Sequence, residues 1–99
     1  MKVRTDVVLK SLSGEDLIST NDEGVREPIT FRTIAVNALL DNSRKTDGIE
    51  KLQRGMLAEQ IYQSAEIDLD EKQVAKIKEL VYEMYPPLII LRMSALLKV

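Results

Sequence analysis

The sequence contains no cysteine, no histidine and no tryptophan, and a single phenylalanine among 99 residues. Without thiols or imidazoles there can be no disulfide staple, no Cys or His metal centre, no Ser-His-Asp or Cys-His nucleophile and no imidazole acid–base group. A basic excess is also missing: fourteen Lys and Arg stand against sixteen Asp and Glu, a net charge of −2. Duplex-binding domains draw most of their non-specific affinity from phosphate neutralisation, so this balance argues against nucleic acid as the partner. No apolar run approaches the ~20 residues needed to cross a bilayer; the run at 88–91 is broken by Arg92. With no apolar stretch before Ser11, the expectation is no signal peptide, no membrane association and a cytoplasmic location.

What is present suits one soluble domain. The chain is 44% hydrophobic and 30% charged, with four Gly and three Pro, which argues against disorder. At this length one core is all the chain can build, so residues 1–99 are read as a single domain. Residues 1–29 carry the strand rhythm. Val3, Thr5, Val7 and Leu9 alternate with Arg4, Asp6, Val8 and Lys10, Ser13-Gly14-Glu15-Asp16 is turn chemistry, and residues 17–20 and 25–29 can run back as short strands. Residues 30–99 are helical. Thr30 caps a first helix whose apolar face is Phe31, Ile34, Ala35, Ala38 and Leu39. Asp41-Asn42-Ser43 ends it and opens a polar loop through Thr46. Asp47 starts a second helix with an apolar stripe of Ile49, Leu52, Met56, Leu57, Ile61 and Ala65. Gly55 inside it marks a close crossing or a weak point.

Asp70 and Gln73 stand at capping-box positions for a third helix, with Leu69 placed to staple onto Val74 and a face of Val74, Ile77, Val81 and Met84. Pro86-Pro87 stops it, and Pro87 suits the first position of a fourth. The predicted fold is α+β: an N-terminal β-hairpin or small antiparallel meander packed on about four α-helices.

Candidate chemistry is sparse. Glu66, Asp68, Asp70 and Glu71 cluster before the third helix, but a calcium loop counted from Asp68 places Gln73 where Gly is required; the acids read as helix-capping groups. Arg44, Lys45, Lys51 and Arg54 are interleaved with Asp41, Asp47 and Glu50 and read as a solvated helix face. Lys72, Lys76 and Lys78 share the third helix with Glu71, Glu79 and Glu83. Tyr62, Tyr82 and Tyr85 read as core-edge residues. No Gly-rich phosphate loop occurs. No catalytic, cofactor-binding or metal-ligating residue is assigned, no cofactor is expected, and the chain is read as a non-enzyme.

The last segment stands out. Leu88, Ile89, Ile90, Leu91, Met93, Ala95, Leu96, Leu97 and Val99 leave only Arg92, Ser94 and Lys98 polar, so a helix here is apolar around most of its circumference. Such a helix is either the central core element or carries an uncovered side that forms a homo-oligomer seam or partner groove. A buried strand at 88–91 is a third reading. The candidate partner interface is Leu88, Ile89, Leu91, Leu96 and Val99, with Tyr85 and Arg92 at its rim.

The run Leu9-Lys10-Ser11-Leu12-Ser13-Gly14-Glu15 and the run Ile29-Thr30-Phe31-Arg32-Thr33-Ile34-Ala35-Val36-Asn37-Ala38-Leu39-Leu40 resemble small uncharacterised proteins of tailed-phage and prophage genomes. Ile61-Tyr62, Ala65-Glu66-Ile67-Asp68-Leu69 and the Tyr85-Pro86-Pro87-Leu88 break are similar too. The resemblance implies phage origin and an intracellular site of action, and carries no catalytic residues with it. The functional expectation is a non-enzymatic phage-type interaction module that binds a host or phage protein, as inhibitor or adaptor, and self-associates. A small DNA-binding transcriptional regulator using the third helix, and a virion assembly or tail component, are the alternatives.

Overall fold

The computed structural model describes residues 1–20, 22–41 and 47–97. In chain order the elements are β1 (Lys2–Arg4), β2 (Ile18–Thr20), β3 (Arg26–Pro28), α1 (Phe31–Leu40), α2 (Gly48–Gln63), β4 (Glu66–Asp68), α3 (Glu71–Met84) and α4 (Pro87–Leu97). The α+β expectation holds, with four helices and two small antiparallel sheets among the described residues. Lys98 and Val99, together with the expected polar loop at 42–46, lie outside the described residues.

The central helix is α1. Phe31, Ile34, Ala35, Ala38 and Leu39 are all buried, matching the periodicity of the sequence. Ala35 and Ala38 present only a methyl group, which lets α2 and α3 pack closely against this helix. Thr30 caps it by accepting from the Thr33 amide at 3.3 Å. α3 begins on the full capping box: Asp70 accepts from the Gln73 amide (2.8 Å) and Gln73 accepts from the Asp70 amide (2.9 Å). It buries Ile77, Leu80 and Val81, and α4 packs along it through Ile89, Met93 and Leu97, one turn apart. The chain reverses between them at Tyr85-Pro86-Pro87, and α4 starts on Pro87 as its fixed φ favours.

The strands differ from the sequence reading. β2 and β3 form the expected hairpin, pairing Ile18 with Pro28 and Thr20 with Arg26. β1 instead pairs with β4, between α2 and α3: Lys2 faces Asp68, Val3 faces Ile67, Arg4 faces Glu66. The stretch read only as helix-capping acid is therefore partly a strand, with Glu66 and Asp68 exposed and Ile67 half-buried between them. Between the two sheets Leu9, Leu17 and Ile29 are stitched in a ring, each amide donating to the next carbonyl at 2.8–2.9 Å. Gly14 (φ +90°) and Gly24 (φ +80°) close the turns in the left-handed region, where a Cβ is strained.

Candidate interaction surface

The stripe read along α2 is two stripes. At about 100° per residue, Leu57, Ala58 and Ile61 fall on one side of the helix and Ile49, Leu52 and Met56 on nearly the opposite side. The first set is buried against the core. The second is exposed, at 72%, 63% and 55%. This corrects the single-face reading, and the signal was available: residues 49, 52 and 56 are spaced by three and four, and so are 54, 57, 58 and 61.

The fourth member of the inward face is Arg54, which is 95% enclosed and not on a solvated face. Its Nε donates to the Leu39 carbonyl at 3.0 Å, and one terminal nitrogen donates to the carbonyls of Ala38 (3.3 Å) and Asp41 (2.6 Å). The guanidinium thus closes the C-terminal end of α1, where unpaired carbonyls concentrate partial negative charge. This ties the orientation of α2 to α1 and turns Ile49, Leu52 and Met56 outward.

On one side, the ridge borders a groove of about 460 Å³ between α2 and the first turns of α3. Leu39, Met56 and Leu57 supply its apolar lining and Gln53, Gln60 and Gln73 its amide groups. Lys76 spans it to Glu50 at 2.5 Å. On the other side, Leu40 (59% exposed) lines a shallow depression with Lys51 and Gly55. Among the described residues Gly55 has no heavy atom of another element within 4 Å of where a Cβ would sit, so of its two readings, a close crossing or a weak point, the crossing is not made by them.

The residues singled out on the last helix are divided by the fold. Ile89 is core, Tyr85, Leu88 and Leu96 are half-buried, Leu91 remains 52% exposed, and Val99 lies outside the described residues. Arg92 holds the chain together: its Nε donates to the Lys10 carbonyl and a terminal nitrogen to the Ser11 carbonyl, both at 2.8 Å. Burial raises the Tyr85 phenol above its ordinary pKa, partly offset by a hydrogen bond with Asn37.

Three of the remaining candidates have partners within the chain, while Tyr62, expected at the core edge, is 68% exposed. Lys76 also lies 3.6 Å from Glu79, and the Lys78 ammonium sits 5.5 Å from the Tyr82 ring centre, so two of the three α3 lysines face partners on the chain. Asp68 accepts from the Met1 amine at 2.9 Å, and that hydrogen bond holds its carboxyl below the ordinary range. Among the described residues no three Asp or Glu converge on a metal-sized site, and no helix is long and apolar enough to cross a membrane.

The architecture therefore defines a small α+β protein with an apolar ridge beside an amide-lined groove. No protein-family model, no curated protein and no solved structure matches the chain.

Proposed function

We propose that this chain is a non-enzymatic protein–protein interaction module and that its association surface is the outward face of α2. The observation that carries this reading is the line of Ile49, Leu52 and Met56. Three large aliphatic side chains more than half exposed on consecutive turns form a contiguous apolar strip, whereas single exposed apolar residues are ordinary. Their placement opposite the core means that no repacking of the same fold could bury both faces. The α4 segment favoured from sequence directs Ile89, Met93 and Leu97 inward, and among its described large hydrophobic side chains only Leu91 is exposed, at 52%. The resemblance read in the sequence to small phage proteins adds, within the same proposal, action inside a host cell.

A photo-crosslinking amino acid at position 52 tests the reading in cells that produce the protein. Adducts are expected from position 52, with few from position 12, where Leu12 is 80% exposed but isolated in a turn. Adducts from position 91 and none from 52 would return the surface to α4. Absence of adducts at both positions would remove the proposal.

A further inference from the structure

We infer that the occupant of the outer α2 face is a second copy of this chain, bound by antiparallel pairing of the two α2 helices across a two-fold axis near Gly55. This rests on the reading of that face as an association surface and names what covers it. The groove-side border of the ridge is formed by Gln53 and Gln60, exposed and uncharged, so a copy laid along it brings no like charges together there. Lys51 and Glu59 are both exposed on the opposite flank, eight positions apart with Gly55 midway. Reversing one helix about that midpoint places each lysine opposite the other copy's glutamate, twice by symmetry. A parallel pair would oppose lysine to lysine and glutamate to glutamate, as a two-fold contact of the same residues in register requires.

Gly55 supports the same arrangement. A glycine inside a helix is unfavourable, and among the described residues outside its own turn nothing lies within 4 Å of where its side chain would be, whereas a second backbone can approach closely there. The available area sets the strength. A 16-residue helix is ~24 Å long. A face of that length, widened by Leu40, covers roughly 400–600 Å² per protomer, below the ~800 Å² of a standard interface, which places the dimer in the weak, exchanging class.

Sedimentation equilibrium of the full chain up to roughly 1 mM should show a monomer–dimer equilibrium with a Kd of roughly 10–500 µM. Leu52→Asp should abolish it. Lys51→Glu and Glu59→Lys should each weaken it about three- to tenfold, and the combined Lys51→Glu/Glu59→Lys variant should restore it to within about twofold. Circular dichroism melts separate lost association from lost folding, and the charge-reversal set carries the test alone if Leu52→Asp unfolds. A strict monomer across the range, or a combined variant no tighter than the single ones, overturns the inference. A monomer that still gives adducts to another protein from position 52 overturns it while leaving the interaction surface in place.

Discussion

Arg54 shows how one residue can position a surface. Burying a guanidinium is costly unless its donors are paired, and here they are met by three carbonyls at the end of α1. Arg54→Ala removes the guanidinium donors from the Leu39 and Asp41 carbonyls, leaving Ala38 its bond from the Asp41 amide, and should lower stability by about 2–3 kcal/mol in urea unfolding, while Lys51→Ala, exposed one turn earlier, should change it by less than ~0.5 kcal/mol. A smaller residue-level effect is set at the N-terminus. The Asp68 carboxyl is held below its ordinary range in the folded chain by the Met1 amine. Its folded pKa is thus below the unfolded one, so its contribution is complete above the unfolded value and disappears as pH falls through the folded one. Below about pH 4 the gap in melting temperature between the native chain and Asp68→Asn should close, with the native chain the more stable at neutral pH. A gap independent of pH would mean that the ion pair has no part in folding.

Among the elements, the helix whose sequence was hardest to interpret bears the proposed surface. α1 and α3 are legible because each has a polar cap and one dominant apolar face, so Thr30, Asp70 and Gln73 mark their starts and period 3.6 their inner sides, except that on α3 Met84 is 45% exposed and Leu80 takes the buried place. α2 has the same spacing on two opposite faces, and its inward face includes an arginine; counting apolar residues alone merges the two. β4 was hidden because a three-residue strand with acids at both ends has the composition of a helix lead-in, and only the return of residues 2–4 gives it a pairing partner. Long-range pairing of that kind leaves no local trace. The same logic yields a test at Gly55. A Cβ there meets nothing within 4 Å among the described residues of other elements and the position is well inside a helix, so Gly55→Ala should raise the stability of the monomer by about 0.5–1 kcal/mol, read as a higher urea midpoint at low micromolar concentration. Destabilisation would show that the backbone at this point is not helical in solution.

Over the whole molecule, stability should fall from the helical centre toward the hairpin. Residues of α1 and α3 with no exposure at all, among them Phe31, Ala35, Ala38, Ile77 and Val81, form the middle of the core, and opening them requires the whole structure to come apart. All six residues of β2 and β3 are exposed, and that hairpin is joined to the rest chiefly through the ring of backbone bonds at Leu9, Leu17 and Ile29 below it. Two strands without a buried face are marginal in water. Hydrogen exchange at neutral pH should therefore find the amides of Ser19, Thr20 and Arg26 exchanging early, through local opening, and those of Ala35 and Ala38 exchanging only with global unfolding. Raising the protein concentration into the dimer range should slow the outward amides of the first turn of α2 and leave the hairpin unchanged, because the proposed contact lies on α2. Concentration-dependent protection of the hairpin instead would place the contact between copies on β2 and β3, whose exposed Ile18 and the neighbouring Val25 would then be the side chains it covers.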